Sequence, residues 1–523
     1  MKSRSSRANS GYIGQNRLSD DYGVISENKN YLRSNLTQWI RPANWLPLPS
    51  MTAGDQMFSG LLAVYPGDPL LTGPNASGNF VAFSVTGCTY TVDWGNGTTQ
   101  SYSAGATAQY NFDFGSISAA TTITGVEGLS GYRQTVITAY PTVAGTTFSG
   151  INMWGVYSQA GYTFSTLWAS PWLDIKIAGS TITSFLFGRS PNVTFGPFPT
   201  RFIEQFEWVG TSGITNAAPI ISGNFSGMFC PGNNPGSRLK SIKGTEWLSN
   251  NTIFTNMFYN CTSLKTIPLL NTQSGTNFTS MFQNCHSLET IPLLNTQSGL
   301  TFTSMFQNCY SLETIPLLNT QSGTMFQGMF STCPSLKTIP LLNTQSGTNF
   351  TNMFQNCGSL KTIPLLNTQS GTNFQNMFGN CYSLKTIPLL NTQSGLTFTN
   401  MFFTCTSLET IPLLNTINGK NIQTMFNTCT SLQSIPLLNF SAATTIGTPF
   451  SGCSSLKQAA TTAPASGTPW SVNDLNLSPA AINQVFANLP TGGAGRTCNI
   501  TNNWGAVGCD RAGATAKGWT VQG

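Results

Sequence analysis

Nine cysteines, Cys261, Cys285, Cys309, Cys333, Cys357, Cys381, Cys405, Cys429 and Cys453, follow one another at intervals of 24 residues. Thiols can crosslink, bind a soft metal or attack an electrophile, so their spacing has to choose between these chemistries and none. If each interval is one turn of a stacked coil, neighbouring Cα atoms lie about 5 Å apart, a distance a disulfide tolerates. Their Cβ atoms would point the same way and stay too far apart to bridge. The column is therefore expected to be reduced and to pack as small hydrophobic groups in a core. Cys88 and Cys230 are isolated in the sequence, and whether Cys498 and Cys509 pair is left open.

The other residues that carry chemistry are sparse. The chain has one histidine, His286, at a repeat position filled elsewhere by Thr262, Tyr310, Pro334, Gly358 and Tyr382. No base, nucleophile and orienting group converge around it in the pattern, so no catalytic residue, cofactor or metal is expected. Glu289, Glu313 and Glu409 share a column with Lys265, Lys337, Lys361 and Lys385, which reads as surface ion pairs of small individual value. A glycosidase needs two carboxyl groups facing each other; Asp174, Glu204 and Glu207 are the formal candidates, without a cleft to hold them. The chain is expected not to be an enzyme.

The element that positions the cysteines is a repeat. Nothing is inserted or lost across eight intervals, as in a solenoid whose units bury their apolar faces only by stacking. Within one unit, Phe278, Met281, Phe282 and Cys285 fall at i, i+3, i+4 and i+7, the spacing of a short helix capped by Thr276 or Asn277. Leu264, Ile267 and Leu269 read as the inward positions of a short strand that ends near Pro268, which has no N–H to give. Asn271 and Gln273-Ser274-Gly275 turn the chain back. Nine such coils at the usual strand spacing would run roughly 40 Å.

The words MFQNCHSLETIPLLNTQSGLTFTSMF, residues 281–306, resemble the BspA-type leucine-rich repeats of bacterial surface proteins and many phage proteins. The resemblance covers residues 221–457, although Asn271 follows Leu270 one residue early for the ordinary leucine-rich pattern. VDWGNGTTQ, residues 92–100, is similar to the PKD-type immunoglobulin-like module, with Asn96 where the family has a second acid. That change makes Asp93 a turn cap rather than a calcium ligand.

Composition bounds the rest. The 523 residues include 51 Gly and 28 Pro, only 8% are charged, and the net charge is +6. This suits a polar, loop-rich, mainly β chain and argues against nucleic acid as partner. No stretch approaches 18 uninterrupted apolar residues, and the basic MKSRSSRANSGYIGQNRLSDD has no hydrophobic segment of a signal peptide, so membrane insertion is not expected. The expected organisation is an extended docking arm at 1–40, a PKD/immunoglobulin-like β-sandwich at 41–145 and an irregular β region at 146–220 capping the solenoid. The leucine-rich-repeat solenoid follows at 221–457, then a small α/β cap at 458–523. Tyr90, Val92 and Trp94 before Gly95-Asn96-Gly97 predict a hairpin, and GYRQTVITAYP supplies a closing strand. Phe225, Met228 and Phe229 match the repeat's words before a Pro-Gly loop at 231–236. Ser478-Pro479 starts a helix that stops at Leu489-Pro490; TCNITN and WTV are strands, with a short helix from Asp510 to Lys517 and Gly518 ending it.

GYIGQNRLSDDYGVIS resembles N-terminal segments of phage structural proteins, and the last residues resemble the tail that follows such repeats in phage proteins. What the resemblance implies is a phage virion appendage: tail fibre, neck whisker or head decoration. It would assemble in the host cytoplasm, dock on other virion proteins through residues 1–40, form a homo-oligomer with a trimer as the favoured state, and attach to a host glycan or protein. A bacterial BspA-like surface adhesin is the alternative, for which a signal peptide is expected; a virion-bound polysaccharide depolymerase is a third. The column after each cysteine varies most, so His286, Tyr310 and Tyr382, with Lys337, Lys361 and Lys385 beside them, are the candidate receptor-facing residues.

Overall fold

The computed structural model describes residues 40–66 except 53, 79–124, 131–153, 158–159, 162–163, 172–179, 181–182, 184–186, 204–209, 239–243, 252–464, 469–492 and 495–523. Residues 1–39 of the expected arm, Phe225, Met228, Phe229, Cys230 and the 231–236 loop lie outside the described residues. The chain divides into two units, Met1–Trp45 and Leu46–Gly523. Of the first, Arg41 lies over the Trp45 ring at 5.4 Å.

The second unit begins with two sheets whose strands are β1 (Met57–Val64), β2 (Phe80–Thr86), β3 (Tyr90–Asp93), β4 (Thr99–Tyr102), β5 (Thr107–Asn111), β6 (Arg133–Pro141) and β7 (Gly150–Asn152). A small pair, β8 (Ser158–Gln159) and β9 (Tyr162–Thr163), precedes β10 (Trp172–Ala178), β11 (Ser184–Leu186), β12 (Gln205–Val209) and β13 (Ser241–Lys243). One sheet runs β13-β12-β10-β1-β6-β3-β4, the other β11-β7-β2-β5. Phe58 of β1 meets Phe83 at 5.1 Å and Trp172 edge-on at 5.6 Å, so aromatic rings fill the space between the sheets. Gly60 is glycine because a Cβ there would sit 2.4 Å from the Trp172 ring. The expected β3–β4 hairpin forms, and Asp93 accepts from the Gly95 N–H at 2.8 Å, the turn cap expected of it. The GYRQTVITAYP strand, β6, lies between β1 and β3 rather than closing the sheet at an edge.

The same sheet changes character at β10. β1 and β10 are antiparallel, but β10, β12 and β13 are parallel to one another, as stacked coils require. The apolar core runs on from the sandwich into the repeats without a break.

From residue 252 each 24-residue coil buries the same columns: Phe278, Met281, Phe282, Cys285, Leu288, Ile291 and Leu294 in one case, each below 5% exposed. Equivalent phenylalanines stack coil upon coil, as Phe330 on Phe354 at 5.6 Å and Phe354 on Phe378 at 5.7 Å, nearly parallel. A buried threonine in each coil donates to a carbonyl of the next, as Thr344 Oγ1 to the Asn367 carbonyl at 2.7 Å.

Two local expectations are corrected here. The segment Phe278–Cys285 is not helical but a run of consecutive turns. Ser280 and Asn284 have φ of 54° and 63°, and two left-handed residues recur in coil after coil. A right-handed helix cannot pass through them. The N–H groups of Phe278, Ser280, Phe282 and Asn284 donate to the next coil, while those of Met281, Gln283 and Cys285 close three-residue turns within the coil. On the opposite side Leu269 is 63% exposed, and Leu270 takes the inward place. Leu264, Ile267 and Leu270 are three residues apart, the spacing of a polyproline-like run rather than the alternation of a strand. Regular strands return only at the end of the ladder, in parallel β14 (Ser434–Asn439) and β15 (Gln458–Thr462).

The C-terminal portion follows expectation. Helix α1 (Pro479–Ala487) has Ser478 as cap, its hydroxyl accepting from the Ala481 N–H at 3.2 Å. Parallel strands β16 (Trp470–Ser471), β17 (Arg496–Asn499) and β18 (Trp519–Gln522) form a small sheet. The short α2 (Ala512–Thr515) lies between the last two, and left-handed Gly518 turns the chain into β18. The molecule is thus mainly β with short helices, and its repeat region is a leucine-rich-repeat solenoid.

Candidate functional site

The turn ladder fixes the post-cysteine column one residue beyond a buried thiol, so each side chain there leaves the core at the same point of its coil. His286 and Tyr310 are half-buried and stack on each other at 4.5 Å with their planes 9° apart. Burial lowers the His286 pKa, so the ring that meets the tyrosine is neutral at pH 7. Tyr382 is 47% exposed. A Cβ on its predecessor Gly358 would approach the tyrosine ring to 3.3 Å, so glycine leaves room for the ring beside it. Tyr310 and Tyr382 are three coils apart, about 14 Å at the usual spacing. The structure thus unites His286 with Tyr310 and keeps Tyr382 separate.

The Lys/Glu column forms the surface pairs expected. Lys265–Glu289 is 3.4 Å, Lys337–Glu313 2.6 Å and Lys385–Glu409 3.5 Å. Lys361 stands between two lysines, and among the described residues it has no acidic partner. Of the column's five lysines, Lys361 and Lys457 take part in none of these pairs, which leaves them capacity for an external acceptor. Beyond Glu409 the column ends in a polar hollow of about 360 Å³ lined by Glu409, Gln433, Ser454, Lys457 and Asn476, among others. Ser454 is the last member of the post-cysteine column, so the variable column runs into this hollow. Sequence reasoning missed it because Asn476 arrives from outside the repeat.

The acids weighed for hydrolysis are placed otherwise. Buried Asp174 accepts from Gln205 Nε2 at 3.2 Å, Glu204 pairs with Lys240 at 2.9 Å, and Glu207 lies 3.6 Å from Lys176. Among the described residues no helix is long and apolar enough to cross a membrane.

The cysteine column is made of free thiols, as are Cys88, Cys498 and Cys509. From Cys285 to Cys453, each Sγ donates to the carbonyl of the phenylalanine 27 residues earlier, at 3.0–3.2 Å. The protonated thiol is therefore the species that the ladder uses. Burial pushes Cys357 and Cys405 up to about 12, and Cys309, Cys333, Cys381 and Cys429 well above the ordinary thiol value. At pH 8 a group with pKa near 12 is ionised in roughly one molecule in 10⁴, so Cys357 and Cys405 will not react with thiol reagents in the folded protein, and the other column thiols are just as inaccessible, all nine being fully buried. Labelling in native buffer followed by mass spectrometry is expected to leave all nine column cysteines unmodified and unbridged. A disulfide between adjacent repeats, or labelling of Cys357 in folded protein, would contradict this.

Residues 252–365 and 348–463 match the family described as "Mycoplasma protein of unknown function, DUF285". These residues are the repeats, and they make up less than half of the chain. The comparison with curated proteins gives no match. Among solved structures, the chain is similar to TLR13 in its complex with ssRNA13, at 12% identity and a TM-score of 0.24, covering 67% of this chain and 53% of that one. It is also similar to the plant peptide hormone receptor RGFR1 in complex with RGF2, at 11% identity and a TM-score of 0.22, covering 61% and 60%. With scores this low, the assignment as a leucine-rich-repeat solenoid rests on the chain's own repeat geometry.

Proposed function

We propose that this chain is an attachment scaffold whose solenoid presents the post-cysteine column and its flanking lysines to a host-surface glycan or protein. The observation that carries the reading is the column itself: side chains that vary from coil to coil are held at fixed spacing on a backbone whose inner positions hardly vary. Tyr382 offers an exposed ring for stacking, Lys361 an uncompensated cation, and the hollow at Ser454 a set of hydroxyl and amide groups suited to sugar hydroxyls. Binding would be by contact rather than chemistry.

Two settings suit such a scaffold. In the first it is a phage virion appendage docked through residues 1–40, whose polar composition fits an arm ordered on a partner. In the second it is a BspA-like bacterial surface adhesin, which the repeats support equally. The test is the double substitution Tyr310→Ser/Tyr382→Ser, with adsorption to host cells as readout. At least a tenfold loss of adsorption with unchanged folding is expected, and unchanged adsorption would sink the attachment reading. Removal of residues 1–40 separates the settings: it should abolish incorporation into particles if the arm docks on a virion, and normal incorporation would refute that docking.

A further inference from the structure

From Leu293 to Leu437 one leucine per coil points outward, each between 53% and 61% exposed. Exposed leucine costs free energy that exposed Thr or Gln does not, and seven in line are not the scattered apolar residues of an ordinary surface. By contrast, the post-cysteine column changes residue type from coil to coil. Leucine is kept at every coil of this one.

The neighbours of the column fit an apolar partner. Thr314 and Asn319, exposed on either side of Leu317, are uncharged, and the equivalent positions carry no charge in the other coils. The asparagine side-chain oxygens already accept a local N–H, as Asn319 does from Gln321 at 3.2 Å and Asn343 from Gln345 at 3.2 Å. Covering this face would therefore strand few polar groups. The charged column lies four residues before the leucines, with Gln433 in its place before Leu437, and the leucine, Thr/Ser and Asn columns themselves carry no charge.

The dimensions select the occupant. The row extends about 29 Å at one leucine per coil, and a partner must offer an apolar row of the same pitch. Each leucine leaves on the order of 80 Å² of apolar surface, so seven leave about 560 Å², and their Thr, Pro and Asn neighbours bring the face near the roughly 800 Å² per partner of a stable interface. A second copy of this chain carries such a row, and a neutral face brings no like-charge repulsion when it meets itself.

We propose that two copies of this chain associate along the outward leucine column from Leu293 to Leu437. The experiment uses the full chain, with molar mass measured by sedimentation equilibrium over a hundredfold concentration range. The wild type should show at least twice the chain mass at micromolar concentration, and Leu341→Glu/Leu365→Glu should return it to the single-chain mass with the circular dichroism unchanged. Because a charge can perturb folding, a second variant, Leu365→Cys, at the midpoint of the column where two rows meet in either orientation, is oxidised mildly and digested. A peptide joining position 365 of one chain to position 365 of another supports the proposal. A wild type of single-chain mass throughout overturns it and leaves the leucines to a partner of another kind. Retained association in the glutamate variant, or the absence of the joined peptide, overturns it as well.

Discussion

Between pH 9 and 10.5 the solenoid will lose stability steeply. The sign follows from the thiols. Cys309, Cys333, Cys357, Cys381, Cys405 and Cys429 are buried, and burial raises the pKa of each, to about 12 for Cys357 and Cys405. In the unfolded chain a thiol titrates near pH 8.5. The folded state therefore holds protons that the unfolded state releases, and the stability these groups contribute is complete below about pH 8.5 and lost as pH rises toward the folded value. Each thiol removes about 1.4 kcal/mol per pH unit in that window, so six remove on the order of 8 kcal/mol per unit, comparable with the whole stability of a domain. Urea midpoints measured at pH 8, 9, 9.5 and 10 under reducing conditions should fall steeply. Cys357→Ala/Cys405→Ala should reduce the slope by about a third while lowering stability at pH 8 through the space left behind. A midpoint independent of pH from 8 to 10 would refute the buried, protonated column. Tyr90 of the β-sandwich, pushed to about 12 by burial, acts in the same direction, but only near and above pH 10.

Much of this arrangement could be read from residue order alone. The 24-residue interval gave the solenoid, the buried columns and the reduced state of the cysteines, and Ser478-Pro479 and Asp93 gave a helix start and a turn. What escaped was backbone conformation within the coil. Apolar residues at i, i+3, i+4 and i+7 mark one face of a helix, but they also recur where turns of three residues follow one another. The discriminating signal was polar: Asn, Ser, Thr and Gly at the places of Ser280 and Asn284, the types that tolerate positive φ. The same holds for Leu269. Alternation about Pro268 points it inward, whereas a three-residue spacing from Leu264 through Ile267 to Leu270 sends it out. An exposed leucine column is invisible to a reading that assumes two-residue periodicity, and with it goes an apolar face that runs the length of the repeats. Strands β10 and β12 fall within the β region read at 146–220, but their parallel pairing with each other and with β13 was not legible, because their spacing is irregular and their sequences share none of the repeat's words.

Deleting residues 334–357 will leave a folded protein, whereas deleting 346–357 will not. The longer deletion removes one full period and joins Cys333 to Gly358, so every column keeps its occupant. Phe330 then meets Phe378 where it met Phe354, and the Cys381 thiol finds the Phe330 carbonyl where it found that of Phe354. Glu313, which loses Lys337, gains Lys361 at the same position of the next coil. In a solenoid, stability is nearly a sum over coils and their interfaces, so one coil fewer lowers it by one increment of several. The shorter deletion takes Gly347, Phe350, Met353, Phe354 and Cys357 from a single coil and leaves half a turn with nothing to close it. Phe326 and Phe330 then lose the rings stacked on them, at 5.8 and 5.6 Å, and the inter-coil hydrogen bonds of the turn ladder have no acceptors. Unmade hydrogen bonds of buried N–H groups cost about 1–3 kcal/mol each, and Phe326, Gly328, Phe330 and Thr332 all donate across that interface. The loss equals or exceeds the stability available. Circular dichroism and limited proteolysis of the two purified proteins decide the matter: the longer deletion should melt cooperatively close to wild type, the shorter should be degraded throughout the repeats. If the protein missing 24 residues is the degraded one, the coils are not interchangeable and the column argument fails with them.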